Sequence, residues 1–230
     1  MPPPRAAARL VRGGVALILA GLGVATWVGW QLFGSTWASE RTHRALVEDV
    51  RESWDAETGR GADAEAPGAA DALETDHGDV SAIVRIPAFG EDYEVPVLEG
   101  TSDEALSAGF GRFEEAEDPG AVGNFALAAH RITHGEPLAD MPALEAGDEV
   151  VIETSRATYT YVLDTGGDDL EVPFTADWVL ADLPRNPDGD VQPAQEPGAR
   201  LLTLTTCSEL FNTDGRLVAF GHLERTVRRR

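Results

Sequence analysis

Arg200-Leu-Leu-Thr-Leu-Thr-Thr-Cys207 alternates apolar and hydroxyl side chains with the period of two that marks a half-buried β-strand. The alternation places Cys207 at the strand's end, where a rigid scaffold presents chemistry. It is the only cysteine in 230 residues. A lone cysteine on an exported chain has no internal disulfide partner. It is a buried bystander, an intermolecular cross-link or a reactive thiol. Taken alone, a cysteine is more often a small buried hydrophobe than a nucleophile. Its surroundings favour the reactive thiol.

Downstream, a nine-residue step containing the turn signal Asp214-Gly215 leads to Arg216, which opens the strand-like run Leu217–Leu223. Upstream lies a long Pro-rich loop, Pro184–Gly198. Further strands are expected at Ser81–Ile86, Tyr93–Leu98, Asn124–Ala129, Glu149–Glu153, Thr158–Asp164 and Glu171–Phe174. A short capped helix is expected over Thr101–Leu106. Many short strands with few helices predict a mostly β domain, either a barrel or a sandwich.

Amide cleavage by a thiol needs a base or cation that favours thiolate, a proton for the leaving amine, and a group to hold the oxyanion. The run Gly123-Asn-Phe-Ala-Leu-Ala-Ala-His130 delivers His130 to a strand end, as Leu201–Thr206 delivers Cys207. Imidazole exchanges protons near neutral pH. Arg216 supplies a permanently charged, forked donor set. His134 follows His130 by four residues, but the other ligands of a zinc site are not paired at close spacing, so no metal and no cofactor is expected. The acidic run Glu114-Glu115-Ala-Glu117-Asp118 lacks a calcium-loop spacing and reads as solvated charge. His222 reads as a packed or edge histidine, and His43 and His77 as solvated.

The first forty residues decide where this chemistry takes place. Gly13–Phe33 is an uncharged, mostly apolar run of 21 residues, preceded by Arg5, Arg9 and Arg12, with Trp27, Trp30 and Trp37 clustered toward its far end. It is long enough to span a bilayer, with the arginine side cytoplasmic; a cleaved signal peptide is the rival reading. Thr36–Trp54 suits a short juxtamembrane helix, and Asp55–Gly78 reads as a disordered acidic spacer. The organisation expected is a basic tail and anchor over 1–36, helix and spacer over 37–79, and a globular domain over 80–230. The first 36 residues carry +3 of the chain's net −22, so the remainder carries −25. Such a surface excludes nucleic acid and anionic headgroups as natural partners. All 18 basic residues are arginine.

Thr203-Leu-Thr-Thr-Cys207 matches the TLxTC signature of the sortases, and Ala129-His130-Arg131 and Arg216 stand in that family's order. With Ile83-Val-Arg-Ile-Pro87 and Pro96-Val-Leu-Glu-Gly-Thr-Ser-Asp-Glu-Ala-Leu106, the chain resembles the membrane-anchored cysteine transpeptidases of Gram-positive surfaces, most of all the class E sortases of actinobacteria. The resemblance spans about residues 80–224. It implies an eight-stranded sortase-type β-barrel behind a single N-terminal transmembrane helix, with the catalytic domain outside the cell. Cys207 would attack, His130 would protonate the leaving amine, and Arg216 would hold substrate and oxyanion. Ala129, Thr205, Thr206 and His134 would line the substrate site; His134 stands where class E members often have tyrosine. The implied partners are secreted proteins with a C-terminal Leu-Pro-x-Thr-Gly or Leu-Ala-x-Thr-Gly signal and a peptidoglycan-precursor amine. Two alternatives stand beside this: an exported L,D-transpeptidase-like enzyme, disfavoured because Thr205-Thr206 replaces the expected Ser-x-Gly before the cysteine, and a non-catalytic anchored β module.

Overall fold

Period-two segments whose apolar faces cannot be covered locally close on one another into a ring. In the computed structural model, which describes residues 5–29, 35–58, 72–189, 191–207 and 214–229, ten strands form one sheet. They are β1 (Leu73–Thr75), β2 (Gly78–Arg85), β3 (Val95–Glu99), β4 (Phe110–Arg112), β5 (Gly123–Ala128), β6 (Glu149–Glu153), β7 (Ala157–Leu163), β8 (Glu171–Pro173), β9 (Arg200–Cys207) and β10 (Gly215–Arg228). The path β2-β3-β4-β5-β9-β10-β7-β6 returns to β2 through the β2–β6 pairing, so eight strands close a barrel while β1 and β8 extend it. Closure leaves no free edge in the ring. The barrel was legible as one of two β architectures; ring closure between β2 and β6 decides against the sandwich.

The interior is filled by one face of each strand, with Val84, Val97, Phe110, Phe125, Leu127, Ile152, Tyr161, Leu202, Leu204 and Ala219 in a single core. The outer face of β9 and β10 is also covered. Val218 and Phe220 pack with Leu170, Val172 and Val179 from the segment between β7 and β9. Double coverage explains why β9 and the first half of β10 have few charged residues. Helix α3 (Asp103–Ala108) begins where Ser102 accepts the Ala105 amide at 3.2 Å, close to the expected capped helix. Two strands, β1 and β4, were not expected; at three residues each they are too short for a periodic signal.

The described part of the N-terminal segment is helical. The expected membrane-spanning run Gly13–Phe33 begins within helix α1 (Arg5–Gly29), whose Leu17 is 76% exposed, and it continues into residues 30–34, outside those described. No helix among the described residues is long and apolar enough to cross a membrane. Helix α2 (Ser35–Thr58) includes the expected juxtamembrane helix and docks on the barrel. Its Leu46, Val47, Val50 and Trp54 are buried against Val80, Ile83, Leu98, Ala105 and Ala108. Arg51 forks onto Glu94 with two 2.7 Å bonds and reaches Glu153 at 3.2 Å, while Arg85 joins Glu153 at 3.1 Å. The Arg229 guanidinium stands 5.3 Å from the Trp54 ring centre. Of the acidic stretch Asp55–Gly78, residues 59–71 lie outside those described; the two ends are structured, as the end of α2 and as β1. His77 is exposed as expected, and His222 is held by Asp164 at 2.7 Å. His43 corrects its expectation. It is 4% exposed rather than solvated, because the helix face that carries it is the docked face.

Candidate active site

Three adjacent strands end at one place. β5 runs parallel to β9 with Ala128 opposite Thr205, and β10 runs antiparallel to β9 with Arg216 opposite Cys207. His130 and Cys207 therefore both lie two residues beyond the Ala128–Thr205 pair, on neighbouring parallel strands. The contact continues past the last ladder pair. The Ala129 amide donates to the Thr205 carbonyl at 3.2 Å, and the Thr206 hydroxyl donates to the Ala129 carbonyl at 2.7 Å. The chain is thus tied to β9 on both sides of the Ala129 peptide immediately before His130. Directly opposed residues in a ladder share a face, so positions 207 and 216 fall on the same side of the sheet.

The outer face of β9 beneath this end is organised by a buried amide. Asn124 Nδ2 donates to the Val179 and Ala181 carbonyls at 3.0 and 3.1 Å, and its Oδ1 accepts the Thr203 hydroxyl at 2.8 Å. These bonds pin the 177–180 turn onto β5 and β9, with Trp178 against Phe220 at 6.0 Å between ring centres. The one polar residue in the apolar run Gly123-Asn-Phe-Ala-Leu was the sequence signal for this clamp. β8 supplies the other wall. It pairs with Gly215, Arg216 and Leu217, while β7 pairs with β10 only from Gly221 onward. Arg216 is accordingly held between β8 and β9, and its Nη1 donates to the Gly215 carbonyl at 2.9 Å. Beside it Phe174, tied through its amide to the Asp214 carbonyl at 2.9 Å, leaves its ring 62% exposed.

His130 is half-buried, and that burial is the main cause that lowers its pKa below the usual histidine value; the charge of His134 lowers it further, and Asp103 of α3 works against both. The His130 and His134 rings lie 5.0 Å apart at 32°. His134 is held by its Nδ1 contact with the Thr133 hydroxyl at 3.0 Å and by a left-handed backbone, φ 57°. The loop closes where the Leu138 amide donates to the His130 carbonyl at 3.0 Å, and Tyr93 braces it through a 2.6 Å bond to the Pro137 carbonyl.

The tertiary structure thus gathers His130, Cys207 and Arg216 at one barrel end, with His134 beside His130. Ala129, Thr205 and Thr206 are buried in the sheet. The proton of Thr206 goes to Ala129, which makes strand register the use of that hydroxyl. The segment Ser208–Phe211 lies outside the described residues. Among the described residues, no group of three or more His, Cys, Asp and Glu side chains could hold a metal ion. An imidazole with a depressed pKa, a thiol position and a guanidinium strand position at one sheet end form a donor and acceptor set suited to acyl transfer.

A sortase-domain family model matches residues 84–224. Among curated proteins, the chain is 29% identical to Sortase SrtE2 of Streptomyces coelicolor over 234 aligned positions, which cover 97% of this chain and 86% of that protein. The solved sortase E of Streptomyces avermitilis is 36% identical with a TM-score of 0.56, over 67% of this chain and 93% of that one. SrtF sortase of Corynebacterium diphtheriae is 25% identical with a TM-score of 0.59, over 72% and 95%. The eight-stranded ring agrees with these matches: the chain belongs to the sortase family of cysteine transpeptidases, with class E sortases of actinobacteria among its relatives.

Proposed function

We propose that this transpeptidase cleaves a C-terminal sorting signal of the Leu-Pro-x-Thr-Gly or Leu-Ala-x-Thr-Gly type between Thr and Gly and passes the Thr acyl group to a peptidoglycan-precursor amine. The observation that carries the reading is the direct pairing of Cys207 with Arg216, with His130 at the same level on the adjoining parallel strand. In this mechanism the Cys207 thiolate adds to the Thr carbonyl carbon, and the resulting oxyanion is held by the Arg216 guanidinium. Collapse breaks the C–N bond as His130 delivers its proton to the departing Gly nitrogen, leaving a thioester on Cys207. The acceptor amine then adds to that thioester and gives its proton to His130, and the thiolate leaves. A lowered imidazole pKa suits both halves, because the cation is a stronger acid towards the leaving amine and the neutral ring remains available for the incoming one.

His134, whose ring lies beside that of His130, would join the substrate site and bear on signal preference. Sortase E1 of Streptomyces coelicolor has been solved with a tripeptide in its active site, which supports a peptide ligand here as well. The apolar run Gly13–Phe33 with its arginine flank supports a membrane anchor that leaves the barrel outside the cell. The test is incubation of the full-length chain with a labelled Leu-Ala-x-Thr-Gly peptide and an amine acceptor. Cleavage between Thr and Gly that vanishes in Cys207→Ala is expected. Undiminished cleavage by that variant would refute the mechanism.

A further inference from the structure

Helix α2 grips the His130 loop at two separate points. The direct one is Gly135, the middle of three consecutive left-handed residues: His134 at φ 57°, Gly135 at 78° and Glu136 at 50°. A Cβ on Gly135 would stand 2.7 Å from His43 Cε1, 3.2 Å from His43 Nδ1 and 3.3 Å from Ser39 Cβ. The first turns of α2 therefore rest on bare backbone of the loop. The second grip is indirect. Arg51 forks onto Glu94, and the adjoining Tyr93 donates to the Pro137 carbonyl.

Left-handed backbone is unfavourable for a residue with a Cβ, so a turn with His134 and Glu136 in that region persists only where its surroundings hold it. Residues of α2 are what pack on this one. The residue in contact is also an unexpected choice for mere filling. His43 is buried and, among the described residues, its Nε2 has no hydrogen-bond partner, a loss that an apolar side chain of similar size would avoid. What the imidazole does provide is a flat ring fitted to the glycine. The turn it rests on carries His134, whose ring faces His130.

We propose that His43 belongs to the catalytic apparatus: seated on the left-handed turn at Gly135, it is a positioning residue that sets the placement of the His134–His130 ring pair. This rests on the reading of His130 as the acid and base of the thiol reaction. The turn of α2 that carries His43 is on this view a working part of the enzyme, while Leu46, Val47, Val50 and Trp54 hold the helix to the barrel.

The test uses the full-length chain as wild type, His43→Ala, His43→Phe and Val50→Ala. Val50 is buried on the same helix about two turns beyond His43, and its truncation removes apolar burial against the barrel without touching the loop or moving His43 off it. Four quantities are read: kcat and KM for the signal peptide, the rate at which iodoacetamide alkylates Cys207, the sole cysteine, and Tm. A misplaced acid should lower kcat and the alkylation rate about tenfold in His43→Ala with KM within about twofold. The substitution His43→Phe keeps a flat ring on the glycine and should retain most of the wild-type rate, while Val50→Ala lowers Tm and leaves kcat unchanged. Should the alanine variant not fold, His43→Asn is read by the same measures. Unchanged kcat in His43→Ala, equal losses in the Ala and Phe variants, or losses that track Tm across all variants would overturn the proposal. Should the wild type turn over no signal peptide, the reading of substrate fails, yet alkylation still decides. Slower reaction of Cys207 in His43→Ala but not in Val50→Ala supports the positioning role, and equal rates overturn it.

Discussion

Acidification should undock α2 through one imidazole. Burial lowers the pKa of His43 from 6.5 to about 4. Between those values the unfolded chain binds a proton that the folded chain does not, so stability falls as pH falls from 6.5 and the loss is complete near 4. At 1.36 kcal/mol per pH unit the whole interval amounts to about 3 kcal/mol, and the step from neutrality to pH 5 to about 2 kcal/mol. Carboxylates contribute in the same direction at the lower end, since the Arg51 guanidinium holds Glu94 below the usual carboxylate range. The comparison that isolates His43 is therefore wild type against His43→Phe, in which the carboxylates are common to both. Denaturant unfolding at pH 7.5 and at pH 5 should show the variant gaining about 2 kcal/mol on wild type at the lower pH. A stability difference that is the same at both values would refute the argument, because it would mean that His43 binds its proton equally in the folded and unfolded chains.

Other substitutions probe the site's supports. Gly135→Ala places a Cβ against His43 at a φ of 78° and should lower Tm by about 4–8 °C, a loss of about 2 kcal/mol; unchanged Tm in a thermal scan would mean that the turn and helix move apart without penalty. Arg51→Met removes the fork on Glu94 and should destabilise by about 1–2 kcal/mol, with the difference shrinking as pH falls and Glu94 is protonated. Thr206→Val keeps shape but leaves the buried Ala129 carbonyl without its hydroxyl donor, for a loss of about 1–3 kcal/mol measurable by denaturant unfolding. Arg216→Lys keeps the charge but loses the fork, and kcat for signal cleavage should fall on the order of a hundredfold; near-normal kinetics would remove Arg216 from the mechanism.

The elements with a strong period were legible. Glu149–Glu153 coincides with its expected bounds, and Leu201–Thr206 and Asn124–Ala129 are within one residue of theirs. Leu217–Leu223 continues to Arg228, because pairing with β7 carries the strand past its apolar residues into solvent-exposed ones. His43 was misread because its position on α2 is amphipathic in a helix of mixed charge, where no local pattern says which face will be covered. The left-handed turn was hidden for a similar reason. Gly135 advertises a positive φ, but His134 and Glu136 do not.

By itself the sequence determined the strand segments, the placement of Cys207 and His130 at strand ends, and the acidity of the chain. These follow from local periodicity and from charge, which need no knowledge of neighbours. Tertiary structure alone decided that β5 lies parallel beside β9, bringing Ala129 and Thr206 together across 77 residues, and that β8 takes the place of β7 beside Arg216. It alone decided that α2 is a docked part of the barrel domain. Strand partners and docked faces are chosen by apolar burial summed over segments far apart in the chain, and no window of sequence contains that sum.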